Sequence, residues 1–222
     1  MSFFATLLFL ILPVGESLHY TIHYGPFQVG TLDLMIKEMA LIQEESCYHL
    51  VARLKSYPQY RFLFRIDDQL ESYARCSDFA TLKSIKRVLE SGYQNLSQAE
   101  FDYSKMKVFY SDSGVFDIVP RTKDLLSTWY YFRTLNLKPN DTITVSVHMD
   151  KKNYQVEVVT VGPRDVSTKI GKMECLLVQP KLARQQDIGT VYLTNDEQKI
   201  PAMIKKRFAF GNIVAVLTRI GG

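Results

Sequence analysis

The chain has 222 residues and a formal net charge of +4 at neutral pH, from 27 basic and 23 acidic residues. This length suffices for one domain whose hydrophobic core needs neither disulfides nor metal ions for stability. The basic residues are scattered along the sequence, and the composition therefore does not predict a nucleic-acid-binding protein, which would gather them into a stripe.

The chain begins with an apolar segment, Phe3 to Val14, that contains no charged residue. It is shorter than the roughly 20 residues that a membrane-spanning helix needs, and its length is typical of the core of a signal peptide. Neither Lys nor Arg precedes it, so the α-amino group alone supplies positive charge there. An uncleaved N-terminal anchor and a buried N-terminal strand are the alternative interpretations of this segment.

Gly15 and Ser17 place small residues at the third and first positions before a cleavage site, which predicts a cut before Leu18. We therefore predict a signal peptide over residues 1–17 and a single exported β domain over residues 18–222. After cleavage, no permanent transmembrane segment is expected.

Alternation of apolar and polar residues predicts strands through the first half of the chain. Tyr20, Ile22 and Tyr24 alternate with polar neighbours before a turn at Gly25, and a second alternating run follows it, which predicts an opening hairpin. Further strands are predicted around 48–54, 70–74, 85–89 and 99–110.

One segment departs from this alternation. Leu125, Trp129 and Phe132 have the i, i+4, i+7 spacing of one helix face, and Asp124 can cap the first turn. Apolar residues on the other faces as well predict a central helix, over about 122–137, that the sheet surrounds. A second, short helical turn is predicted at 59–64.

The second half returns to alternation and brings the expected total to ten to twelve strands. The predicted fold is therefore mainly β: a long, antiparallel, strongly curved sheet or half-open barrel around one helix. A two-sheet β-sandwich is the alternative architecture. These further strands are predicted over residues 143–149, 154–158, 173–178, 191–193, 200–208 and 213–220.

Neither the cysteines nor the histidines have the spacing of a metal site. Cys47, Cys76 and Cys175 lie far apart without a CxxC pair, so we predict no metal and no cofactor, and the sequence cannot choose a disulfide among them. His19, His23 and His49 are more typical of strand surfaces than of zinc ligands. Nucleophile-elbow, phosphate-loop and dinucleotide-binding motifs are also absent from the sequence.

Four segments, in order, resemble the exported bacterial family catalogued as domain of unknown function 3108. In that pattern an aromatic hairpin contains a Val-Gly step, here Val29-Gly30, and the helix is followed by a turn in which Asn140 stands where glycine is common. Lys199 stands where arginine is common. The segments are YTIHYGPFQVGTLDL (20–34), FLFRIDDQLESYAR (62–75), DLLSTWYYFRTLNLKPNDTITVSV (124–147) and TVYLTNDEQKIPAMIKKRFAFGNIVAVL (190–217).

The resemblance implies an extracytoplasmic, most simply periplasmic, protein whose curved sheet encloses a helix, similar in style to periplasmic half-barrel carriers of lipoproteins. We expect a non-enzymatic binding or carrier module for a lipophilic ligand or a lipidated partner. Trp129, Tyr130 and Phe132 are the candidate ligand lining and Arg133 the candidate headgroup partner, with ordinary core packing as their alternative role. A scaffold that binds envelope proteins, and less favourably an enzyme, are the competing functions.

Overall fold

Antiparallel strands make up most of the computed structural model, which describes residues 12–62, 65–182, 186–187, 189–208 and 211–222. The predicted alternation is therefore confirmed as strand structure, on both sides of a single helix. The strands before the helix are β1 (Ser17–Tyr24), β2 (Phe27–Ile42), β3 (Glu45–Ser56), β4 (Asp67–Arg75), β5 (Thr81–Glu90), β6 (Tyr93–Asp102), β7 (Lys107–Tyr110) and β8 (Gly114–Asp117).

Fifteen strands are present in the described residues, more than the ten to twelve predicted. Part of the difference lies at 99–110, predicted as one strand, where a turn divides β6 from β7. The strands after the helix are β9 (Thr142–Met149), β10 (Lys152–Thr168), β11 (Gly171–Leu182), β12 (Gln186–Asp187), β13 (Thr190–Thr194), β14 (Pro201–Phe208) and β15 (Gly211–Gly221).

All these strands belong to one sheet, in the order β8-β7-β6-β5-β4-β3-β2-β1-β15-β14-β13-β11-β10-β9, with β12 beside β11. Each half of the chain forms a run of antiparallel neighbours, and the first and last strands join the halves. Residues Ser17 and Gly221 are partners in that pairing. The prediction of a curved, half-open sheet is confirmed, and the two-sheet sandwich is not the architecture.

A short segment after β8 links the two halves of the sheet near its free edges. The amide of Thr81 donates to the carbonyl of Thr122 (3.0 Å), while the amide of Lys123 donates to the carbonyl of Ser146 (3.0 Å). The amide of His148 donates in turn to the carbonyl of Lys123 (2.8 Å). Residues 122–123 therefore connect the start of β5 with β9, although β8 and β9 form no ladder with each other in the described residues.

The sheet curves so strongly that β9, the strand at one end of the sheet, packs against strands β6 and β7 near the other end. On one face of β9, Val145 and Val147 pack in the core with Phe132. On the other face, the ring of His148 lies 5.8 Å from that of Phe101 and 5.9 Å from that of Tyr110, measured between centroids. Because successive strand side chains point to opposite faces, β9 is covered on both.

The helix α1 (Leu125–Thr134) lies within this roll, as predicted, but it is shorter than the predicted 122–137. Residues 122 and 123 are taken by the link between β5 and β9, and Leu135 is already extended. Asp124 caps the helix as predicted: its Oδ1 accepts from the amide of Ser127 at 2.7 Å. Leu126 and Tyr130 are buried with residues of β1 to β4.

The second predicted helical turn, at 59–64, corresponds to a 3-10 turn over Pro58–Tyr60. Residues 63 and 64 lie outside the described residues. No helix among the described residues combines the length and apolar character required to cross a membrane.

The last residues of the predicted signal peptide pack on the sheet. Leu12 is 1% exposed and belongs to the same core cluster as Leu18 and Ile36. The amide of Gly15 donates to the carbonyl of Ile36 (2.8 Å), and the amide of Ile36 donates to the backbone carbonyl of Glu16 (3.0 Å). Residues 1–11 lie outside the described residues, and the cut before Leu18 stays a prediction. Strand β1 already begins at Ser17, one residue before the predicted cut.

Candidate functional site

A cleft of about 530 Å³ opens where the two edges of the rolled sheet face each other. We call it the seam cleft. One wall is formed by β5, β6 and β7, the other by the end of β9 and its turn into β10, and the first turn of α1 lies between them. Apolar side chains of this cleft include Leu70, Leu125, Leu126, Ala99 and Met149.

Two ion pairs connect charged residues of the cleft across the gap between the walls. Lys86 Nζ lies 3.6 Å from Asp150 Oδ1, and Lys151 Nζ lies 3.6 Å from Asp112 Oδ2. The Lys151 ammonium also lies 5.7 Å from the centroid of the Tyr110 ring. Largely exposed ion pairs of this kind contribute little stability, so these two contacts add little to holding the walls together.

The geometry around His148 determines which of its ring nitrogens carries the proton. Asn153 Nδ2 donates to the carbonyl of Asp117 at 2.8 Å, so the amide oxygen of Asn153 is the atom that faces the imidazole. That oxygen lies 2.8 Å from Nδ1 of His148 and can only accept, which places the proton on Nδ1. Burial lowers the pKa of His148, opposed by its bond to Asn153.

The other nitrogen of His148, Nε2, has no hydrogen-bond partner among the described residues. The residue is 2% exposed and belongs to the lining of the seam cleft. A neutral imidazole with a proton on Nδ1 has a lone pair on Nε2. Nε2 is therefore a buried acceptor without a described donor, in a residue of the cleft lining.

Three of the four predicted ligand contacts of the helix are buried in the core. Tyr130 is 2%, Phe132 1% and Arg133 1% exposed, while Trp129 is partly buried, with its ring 6.2 Å from that of Phe132. None of them lines the seam cleft; the residues of α1 that line it are Leu125 and Leu126. Whether any of the four contacts a ligand stays a prediction.

Arg133, the predicted headgroup partner, binds Glu16 in the interior. Its Nη1 and Nη2 donate to Oε1 and Oε2 of Glu16, at 2.5 and 2.8 Å, and its Nε donates to the carbonyl of Gln198 at 3.1 Å. Glu16 is itself only 6% exposed. All three nitrogens of the guanidinium therefore have partners within the protein.

Sequence reasoning missed His148 because its role depends on two distant elements. Its position between Val147 and Met149 shows only a polar residue in an alternating strand. The aromatic ring of Phe101 on its other side belongs to a strand at the opposite edge of the sheet. The signal available in the sequence was a histidine next to a turn, which alone indicates no site.

Two of the strand histidines considered as zinc ligands contact carboxylates instead of one another. His19 Nδ1 lies 2.7 Å from Asp33, whereas His49 lies between Glu71, 2.7 Å from Nε2, and Glu38, 3.3 Å from Nδ1. The described residues hold no group of three His, Cys, Asp or Glu side chains that could bind a metal ion. The three cysteines are free, and burial raises the pKa of Cys47 to about 12 and that of Cys175 to about 11, which makes both weak nucleophiles.

A rolled, open antiparallel sheet with an enclosed helix places the chain among barrel-like, mainly β proteins. The chain belongs to the family described as "Protein of unknown function (DUF3108)", which matches residues 19–218. That family is not assigned an enzymatic activity by its description. No curated protein matches the chain in sequence.

Solved structures with a similar fold include a β-barrel-like protein of the domain of unknown function DUF1849 from Brucella abortus. It has a TM-score of 0.60 and 10% identity, over 95% of this chain and 98% of that one. A protein described as "a putative lipoprotein" from Parabacteroides distasonis has a TM-score of 0.42 and 9% identity, over 96% and 98% of the two chains. At these identities, the similarity to the DUF1849 protein concerns the fold alone.

Proposed function

We propose that this protein is a non-enzymatic binding or carrier module of the bacterial cell envelope, which holds a lipophilic ligand or the lipid chain of a partner in the seam cleft. The observation that carries the proposal is the cleft itself, whose apolar residues lie between the walls while charged pairs cross the gap. Its volume of about 530 Å³ lies within the range of small-molecule sites.

The distribution of polar and apolar groups favours an amphipathic ligand. Leu125 is 38% exposed although it is a large apolar residue, and its side chain contributes to the cleft. Burial of such surface by a ligand is favourable in proportion to the area removed from water. Polar side chains such as Ser84 and Asn95 lie in the same lining and can bind the polar end of the ligand.

The envelope location is supported by the apolar N-terminal segment at residues 3–14, whose length suits export. In this location a cleft that takes up a lipid chain has an abundant source of ligands.

Native mass spectrometry of protein purified from its own envelope tests the proposal. We expect a population with an added mass in the range of a lipid, which organic extraction removes. A clean unliganded mass, together with no binding of a fluorescent fatty-acyl probe, would overturn it. Capture of an envelope protein under those conditions would favour the scaffold function instead.

Substitution of Leu125 by glutamate is expected to weaken binding of a fluorescent fatty-acyl probe at least about tenfold, because the new carboxylate would lose hydration against the acyl chain. Leu125 is already 38% exposed, so the fold should tolerate the change. Titration of the probe measures the effect.

Leu96→Glu is the matched control for this substitution. Leu96 is 58% exposed and lies on β6 between Asn95 and Ser97, which contribute to the seam cleft. Alternation along the strand places Leu96 on the opposite face. The control should bind as the wild type does, and an equal loss in both variants would contradict the assignment of the cleft.

A further inference from the structure

We infer that the ligand of the seam cleft carries an uncharged hydroxyl that donates to Nε2 of His148, and that the ligand is therefore an amphiphile with a neutral, hydroxylated headgroup. This inference rests on the proposed function, because it specifies the class of ligand that the same cleft would hold.

An unpartnered Nε2 on His148 has a cost in free energy. The amide of Asn153 is oriented by Asp117, so it presents its oxygen to His148 Nδ1 and fixes the proton there. Nε2 then needs a donor, and no described residue supplies one. A buried acceptor without a partner costs about 1–3 kcal/mol, which a ligand donor in this cleft would recover.

The charges in the cleft favour an uncharged donor on the ligand over an anionic or a cationic headgroup. The charged residues in the cleft lining are four acidic residues and two lysines, namely Glu71, Asp112, Asp124, Asp150, Lys86 and Lys151. Both lysines already have aspartate partners. An anionic headgroup would meet this excess of carboxylates. A cationic headgroup would have to lose its hydration beside a buried, neutral imidazole, which costs far more than burial of a hydroxyl.

Neutral polar groups also line the cleft. Ser84, Asn95 and Ser97 line the same cleft and offer hydrogen-bond donors and acceptors without charge. Tyr93 is 60% exposed in the same lining and presents an aromatic ring to the cleft opening. A polyol or sugar headgroup can both donate to and accept from these hydroxyl and amide groups and can pack on the ring, whereas an ionised carboxylate can only accept and has no donor for Nε2 of His148.

The test compares three amphiphiles that share a dodecyl chain and differ in the headgroup: dodecyl glucoside, dodecanoate and dodecyltrimethylammonium. Each is titrated calorimetrically below its micelle concentration into the full-length protein and into His148→Phe. We expect the wild type to bind the glucoside at least about tenfold more tightly than the other two. In His148→Phe the glucoside should lose this advantage over the other two amphiphiles.

The variant is chosen so that it keeps its fold. Phenylalanine preserves a ring against Phe101 and Tyr110, and Asn153, which loses its partner, is exposed and can bond to water. An unfolding curve that matches the wild type verifies this. As a second measurement, ¹⁵N spectra of the histidine rings at pH 7 should show Nδ1 of His148 protonated, and Nε2 should shift when glucoside is added but not when dodecanoate is added.

The outcomes separate the two proposals. If none of the three amphiphiles binds, the proposed function fails and this inference fails with it. If all three bind equally well and His148→Phe changes nothing, the cleft binds lipid chains and only the hydroxyl assignment is overturned. Preferential binding of the ammonium compound would also overturn that assignment, as would a proton on Nε2 of His148.

Discussion

A chain that begins at Leu18 is expected to be about 3–5 kcal/mol less stable than one that begins at Leu12, because removal of Glu16 leaves the guanidinium of Arg133 buried without a charged partner. The shorter chain also loses two backbone hydrogen bonds to Ile36, one donated by the amide of Gly15 and one accepted by the carbonyl of Glu16. Urea unfolding of the two purified truncations measures the difference.

Two further variants separate the ion pair from the rest of the N-terminal segment. Glu16→Gln in the chain that begins at Leu12 should retain the backbone contacts and still lose several kcal/mol, since one charge of a buried pair is removed. The double variant Glu16→Leu with Arg133→Met should recover most of that loss, because no unpaired charge remains. Equal stability of the two truncations would contradict the importance of the pair.

The same contact bears on the predicted signal-peptide cut. A cut before Leu18 and a stable Glu16–Arg133 pair exclude each other, because the cut removes Glu16. N-terminal sequencing of the protein from its own envelope decides between them. If the pair persists in the processed protein, its N-terminus will lie at or before Glu16.

Gly30→Ala is expected to destabilise the fold by about 3 kcal/mol, the upper part of the range for an overpacked interior. A Cβ atom at Gly30 would lie 2.3 Å from the carbonyl oxygen of Lys55 and 3.2 Å from Cα of Ser56. Both neighbours are backbone atoms of the paired strand β3, which can move only if the ladder moves. Thermal and urea unfolding measure the effect.

Gly221→Ala provides the control, since a Cβ atom there would meet Oγ of Ser17 at 2.8 Å. A serine hydroxyl can rotate away, so this change should cost well under 1 kcal/mol. Similar losses in the two variants would show that backbone approach is not the reason for glycine at position 30. The expected contrast would give a physical reason for the Val-Gly step in the sequence pattern of the opening hairpin.

Periodicity predicted local structure because it reports which face of an element is buried. The spacing of Leu125, Trp129 and Phe132 identified the helix, and Asp124 identified its first turn. Likewise Asn140, which stands where the family pattern often has glycine, has φ of 69°, a left-handed conformation that asparagine tolerates better than most residues. Each of these features depends on neighbours close in the sequence.

The cleft could not be predicted in the same way, because it forms between residues far apart in the chain. The pattern of β9 does not say that His148 will meet Phe101 and Tyr110. Aromatic residues on several faces of the helix predicted enclosure correctly, but not which of them would remain near solvent. The sequence therefore favoured Trp129, Tyr130 and Phe132 as ligand lining, whereas the cleft holds Leu125 and Leu126.

The pairing of β1 with β15 also constrains the order of folding. β1 has β2 as a local neighbour, but its other edge is completed by Ile213 to Gly221, in the last of the described strands. Contacts between residues so distant in sequence slow folding, since the intervening loop must close before the pairing contributes stability. Each half of the sheet can therefore form from strands that are neighbours in the sequence, before the pairing of β1 with β15 joins the two halves.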